Sequence, residues 1–159
     1  MPHIDDMKNM DLGSGVTIII TCADPRANPA TYLGLNPGEC PTIRNAGGRV
    51  TPEVFTSLEL ISAVMPVGML VLIHHTDCGG LYVTDDDVRS ALSERNPEHK
   101  DGIKDKTWHS YKNIGMDQSI KDDVAKLKAW KFLPKGAAVA GYVIDIKTGQ
   151  LRNVVEPNF

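Results

Sequence analysis

Two rhythms of hydrophobic and polar positions run through the chain. "VTIIITC" (16–22) and "GMLVLIHH" (68–75) are continuous apolar, β-branched runs, the pattern of strands buried on both faces. Between them Val54, Leu58, Ile61 and Met65 recur at spacings of three and four, which predicts a helix started by Thr51 and Pro52. Asn28 and Pro29 predict the cap and first position of a short helix through Tyr32. "PTIR" (41–44) reads as a short strand running into the glycine-bearing loop "NAGGR". Thr84 with Asp87 is a capping-box-like start for "DDDVRSALSER". Ser119 with Asp122 predicts the start of a last helix, with Ile120, Val124, Leu127 and Trp130 on one face. "AAVAGYVIDI", the turn "KTG" and "QLRNVV" read as strand, hairpin turn and antiparallel edge strand. Residues 96–117 have no clear period. A stretch that long in a compact domain is functional, mobile, or hides a helix.

Alternating strands and helices predict an α/β fold: a mainly parallel central sheet, helices on both faces, and a C-terminal antiparallel hairpin strand. The length of 159 residues suits one domain spanning 1–159. A net charge of −3, without a basic run, argues against nucleic acid as a partner. No apolar stretch is long enough for a membrane span. The start "MPHIDDMKNMDLGSG" is polar and acidic, without the apolar centre of a signal peptide, so a cytoplasmic location is expected. The three cysteines do not form a disulfide framework; in a reducing compartment they are buried thiols, metal ligands or catalytic groups.

The candidate chemistry sits just after the two long apolar runs. "TCADPRANP" (21–29) ends the first and "LIHHTDCGG" (72–80) ends the second. In an open parallel sheet, ligands bind at the carboxyl ends of strands where strand order reverses. If the two strands are neighbours, the two stretches form one site. Cys22, His75 and Cys78 then make a two-thiolate, one-imidazole set that suits zinc and leaves a fourth position open. His74 points to the opposite face from His75 by strand alternation, and spacing does not decide which of them binds. Two thiolates weaken the ion as a Lewis acid, so a neighbour must favour bound hydroxide; Asp24 can accept its proton, and Arg26 can offset the carboxylate's charge.

Each motif is weak alone. A cysteine at a strand end is commonly a small buried hydrophobe, and Asp-x-Arg is commonly a turn with an ion pair. Their conjunction at adjacent strand ends carries the assignment. Cys40 reads as a buried thiol, and His3, His99 and His109 as surface residues. "NAGGRVT" has neither dinucleotide-binding nor P-loop spacing. No arginine follows either cysteine at the distance a cysteine-dependent phosphatase needs.

"C22-A-D24-P-R26", "R44-N-A-G-G48" and "H75-T-D-C78-G" resemble the signature segments of the β-class carbonic anhydrases, with further likeness in "S119-I-K-D-D-V" and "G141-Y-V-I-D-I-K-T-G". The resemblance implies Cys22, His75 and Cys78 as zinc ligands, so it selects His75 over His74. It implies Asp24 and Arg26 as the catalytic dyad, with Asp24 able to swing onto zinc as pH falls. It also implies a homodimer or higher assembly with sites near the subunit interface. The implied reaction is zinc hydroxide attack on a small linear electrophile: hydration of carbon dioxide to bicarbonate, or hydrolysis of carbonyl sulfide or carbon disulfide to hydrogen sulfide and carbon dioxide. A non-catalytic zinc-binding relative is a third reading. The chain departs from the family at Pro25, where a small residue is usual. It also has only about fifteen residues before the first strand, where relatives often carry longer helices that embrace a partner.

Overall fold

A computed structural model describes residues 13–158. Five strands, β1 (Val16–Cys22), β2 (Thr42–Asn45), β3 (Val67–His75), β4 (Ala138–Ile144) and β5 (Leu151–Val155), form a sheet of order β2-β1-β3-β4-β5. All neighbours are parallel except β4 and β5. The helices are α1 (Pro29–Leu33), α2 (Pro52–Val64), α3 (Asp85–Arg95) and α4 (Met116–Lys128). The chain leaves β1 for β2 on one side and then crosses to β3 on the other. Strand order therefore reverses at β1 and β3, and their carboxyl ends frame the crevice expected to bind ligands.

The main core lies on one face of the sheet. Ile18, Ile20, Leu70, Leu72, Val139 and Val143 project from the strands onto Val54 and Leu58 of α2 and Ile120, Val124 and Leu127 of α4. A Cβ at Gly141 would lie 2.4 Å from Ile120 Cγ2, so only glycine lets α4 pack this close to β4. The opposite face has the smaller cluster Ile19, Ile73 and Ile144, covered by Tyr32 of α1 and by Leu35 and Cys40 after it. Among the described residues both long apolar helices thus share one face, and the other is thinly covered. α3 begins with the full Thr84–Asp87 capping box, and the 3-10 turn Pro97–Ile103 packs against it.

The last helix differs from expectation. It starts at Met116, after Gly115 at φ 78°, and ends at Lys128, short of Trp130. A left-handed glycine stops the preceding turn a full turn before Ser119. Ser119 is therefore fully buried inside the helix, its Oγ 2.7 Å from Met116 O and 3.0 Å from His74 Nδ1. Cys40 is half-buried rather than buried. His99 is exposed; His3 lies outside the described residues. No described helix is long and apolar enough to cross a membrane.

Candidate metal centre and its cavity

β1 and β3 run in register from Thr17 opposite Met69 to Thr21 opposite Ile73, so Cys22 and the turn after His75 end side by side. The ligand atoms of Cys22, His75 and Cys78 all lie within 4.8 Å of one another, and all three residues are buried. The two sulfurs are 3.8 Å apart. The Cys78 thiol hydrogen-bonds Cys22 and drives it below the ordinary thiol range, while Cys78, facing that sulfur and buried, is pushed up. Without a cation the pair therefore keeps a proton on Cys78, and both sulfurs can be thiolates together only with a cation between them.

His75 supplies the third corner. Its Nδ1 lies 2.9 Å from the Thr76 carbonyl, which fixes the proton there. That leaves Nε2 as the acceptor, and Nε2 is buried without a hydrogen-bond partner. A buried ring nitrogen is seldom left unsatisfied. Here it faces two sulfurs, and the donor set fits a thiophilic divalent ion such as zinc. His74, on the other side of β3, is fully buried and engaged: Nε2 meets Gly48 O at 3.2 Å and Nδ1 meets Ser119 Oγ. Burial and the nearby Arg49 charge hold its ring down to about 4, so it sits neutral in the core.

Asp24 and Arg26 stand beside the three. Arg26 donates from Nε and Nη2 to both Asp24 oxygens, at 3.1, 3.3 and 2.7 Å, and its backbone amide adds a fourth contact at 2.9 Å. These bonds hold the Asp24 carboxyl down to about 2. Its Oδ2 lies 3.9 Å from His75 Nε2. Half of the Arg26 side chain is in solvent, so the pair contributes orientation more than stability. Proline fits at position 25: it opens the 3-10 turn Pro25–Ala27 with Asp24 as cap, where its missing N–H is not needed.

The family model for carbonic anhydrase matches residues 17–151, most of the chain. The chain belongs to the β-carbonic anhydrase family. It is 32% identical over 136 residues to β-carbonic anhydrase 1 of Mycobacterium tuberculosis, covering 86% of this chain and 80% of that one. It is 27% identical over 154 residues to the carbon disulfide hydrolase of Saccharolobus solfataricus, covering 84% and 74%. The crystal structure of a Streptococcus mutans carbonic anhydrase superposes with a TM-score of 0.77 at 32% identity, covering 87% of this chain and 80% of that one.

Several residues support the site in roles that their motifs and spacing did not assign. Arg44, one position before the β2 residue that pairs with Cys22, donates to Cys22 O at 2.9 Å and Asp24 O at 2.6 Å, fixing the strand end. The amides of Gly47 and Asp24 donate to Cys22 Sγ at 3.3 and 3.4 Å. Asp77, at φ 57°, accepts from Arg26 Nη1 at 2.8 Å and from the Tyr82 hydroxyl at 2.6 Å. The aperiodic segment forms one wall of a cavity of about 370 Å³ over Cys22, Asp24 and Cys78, with Trp108, His109, Ser110 and Tyr111 lining it. His109 is half-buried on this wall, not a free surface residue. Tyr111 is 1% exposed, packs with Cys22 and Cys78, and stacks on His74 at 5.3 Å.

Proposed function

We propose that the chain is a zinc enzyme, folded as one domain over 1–159, that hydrates carbon dioxide reversibly to bicarbonate. Cys22, His75 and Cys78 are the zinc ligands, and Asp24 and Arg26 are the catalytic pair. The observation that carries this reading is the partnerless His75 Nε2, buried against two sulfurs and bordered by an Arg-held carboxylate. Zinc held there supplies a water of lowered pKa, a nucleophile near neutral pH.

The remaining work falls to the chain. The Arg26 hydrogen bonds keep Asp24 ionised, hence an acceptor. Asp24 Oδ2 takes a hydrogen bond from the nucleophile and aims its lone pair into the cavity. The Gly47 and Asp24 amides draw charge from the Cys22 sulfur, which offsets the electron donation of two thiolates. Ala46, Gly47, Gly79, Val83 and Val88 line the cavity with small or apolar groups, suited to an uncharged linear substrate. A non-catalytic zinc protein has no use for the Asp24–Arg26 pair.

The size and apolarity of the cavity also favour a second reading, hydrolysis of carbonyl sulfide or carbon disulfide to hydrogen sulfide and carbon dioxide. A relative named carbon disulfide hydrolase gives it further support. One purified sample, analysed for metal and assayed on carbon dioxide, carbonyl sulfide and carbon disulfide, tests both readings. About one zinc per chain with fast hydration is expected; a metal-free active protein, or a zinc-loaded protein inert on all three, overturns the assignment. The thinly covered sheet face, where Val71 and Tyr142 stay half-exposed, supports a homodimer or higher assembly, and an active monomer in sedimentation would refute it. The cytoplasm is the proposed location, and carbon dioxide with bicarbonate the proposed small-molecule partners.

A further inference from the structure

The two walls of the cavity share one buried anchor. Asp123 of α4 is fully buried; its Oδ2 accepts from Arg49 Nε at 2.6 Å and from the Val50 amide at 3.0 Å. Its Oδ1 accepts from Arg49 Nη2 at 3.1 Å and Lys126 Nζ at 2.7 Å. Arg49 immediately follows the Ala46–Gly48 turn, whose Gly47 amide donates to Cys22. Its remaining nitrogen, Nη1, reaches across to donate to His109 O at 2.6 Å, and its guanidinium lies 5.5 Å from the Tyr111 ring centre.

His109 has φ 57°, a backbone state that is costly for a non-glycine residue and persists only where neighbours impose it. Tyr111 fills the gap beneath. A Cβ at Gly47 would stand 3.3 Å from its ring, and one at Gly80 only 2.5 Å. The spacing between the Gly47 wall and the 108–111 wall is therefore set by the length of one planar side chain.

We propose that Arg49, fixed by Asp123, is a positioning residue that sets the width of the cavity and thereby the preference among linear electrophiles of different girth. The inference rests on the zinc-enzyme reading for its substrates, and on geometry alone for the clamp. Lysine is the discriminating replacement. It keeps the charge beside Asp123 but lacks the fork that serves Asp123 and His109 together. Asp123 keeps Lys126 and the Val50 amide as donors in either variant, so its carboxylate is not orphaned.

The test uses zinc-loaded full-length protein with Arg49→Lys and, should that variant not fold, Arg49→Gln. Amide exchange at 108–111 is expected to quicken about tenfold while β1 and β3 amides keep native protection. The rate on carbon disulfide relative to carbon dioxide is expected to rise by about tenfold, with zinc content unchanged. A merely structural loss lowers both rates in step. Unchanged exchange at 108–111 in a folded variant overturns the clamp, and faster exchange with an unchanged ratio overturns its role in selectivity. A native protein inert on both substrates sinks the reading of the site instead, and exchange still decides the clamp.

Discussion

The two sides of the cavity are built by different physics. On one side Cys22 and His75 sit at the ends of parallel strands whose backbone groups pair within the sheet. Their positions follow from register, and any residue compatible with a buried strand would keep them there. On the other side, residues 106–111 have no regular structure. Their backbone groups find side chains and one loop carbonyl instead: Arg89 for Lys106 O, Asp85 for the Trp108 and Ser110 amides, Arg49 for His109 O, Gly80 O for the Tyr111 amide. Backbone polar groups away from water must be satisfied somewhere, and here four distant residues do it. One side is robust to substitution outside the ligands; the other depends on single side chains.

The sharpest break comes at the strand ends. Cys78→Ser is expected to abolish zinc retention and lower turnover by more than the roughly 100-fold typical of losing an outer partner. Metal analysis after dialysis checks this, and full occupancy would remove Cys78 from the ligand set. Next is the pair beside the proposed metal site. Asp24→Ala is expected to keep zinc and cut turnover about 10²–10⁴-fold, the usual weight of a positioned proton acceptor. Arg26→Ala should act in the same direction through a carboxylate left free to turn. Zinc-loaded mutants with native rates would show that the pair is structural.

This contrast also explains what could be read from the chain. The strands, the α3 capping box and the convergence of Cys22, Asp24, Arg26 and Cys78 with the end of the second strand are consequences of period and adjacency, which sequence carries directly, whereas the choice of His75 over His74 came from the family resemblance. Ser119 was misplaced because the helix start depends on the backbone state of Gly115, and a serine followed by Asp122 imitates a cap. Helices were expected on both faces without an assignment of each to a side; the face that the two long ones share is set by handed crossovers that no local pattern encodes. Trp108 and Tyr111 in the aperiodic stretch were candidates for the border of a channel to the metal or for a subunit interface, but the way the wall at 106–111 is held was illegible, because its partners lie 17 to 60 positions away and none of them recurs with a period.

A smaller effect separates the Asp123 anchor from the proposed metal site. Burial works against ionising Asp123, and the hydrogen bonds from Arg49, Lys126 and the Val50 amide outweigh it, so its carboxyl lies below the ordinary range. A depressed carboxyl contributes stability that is complete above its unfolded value, about 3.9, and is lost as pH falls through the folded one. Asp123→Asn is therefore expected to cost about 3–5 kcal/mol near neutrality, as for a broken buried pair. The gap to the native chain should narrow as pH drops below the ordinary aspartate range. Urea unfolding of zinc-free protein across pH, which keeps metal loss out of the comparison, checks it; a gap that widens in acid would reverse the sign assigned to Asp123.

The smallest effect expected is the most local one. Asp85 is the first residue of α3, and its two oxygens accept from Trp108 and Ser110 amides at 3.0 Å each. Arg89, one turn on, holds Lys106 O and stacks 5.6 Å from the Trp108 ring, so the wall would keep one anchor if Asp85 were lost. Asp85→Ala leaves two part-buried amides without acceptors, about 1–3 kcal/mol each if water cannot reach them and less where it can. The cost should fall on local opening and hardly on global unfolding, because Asp85 contributes no apolar packing to the main core. Exchange of the Trp108 and Ser110 amides should quicken while the urea midpoint barely moves and zinc stays bound. Asp85→Asn, keeping one acceptor oxygen, should fall between the two. A midpoint shift as large as that of Asp123→Asn would mean that this wall folds with the sheet as one unit, and the division drawn between the two sides of the cavity would fail.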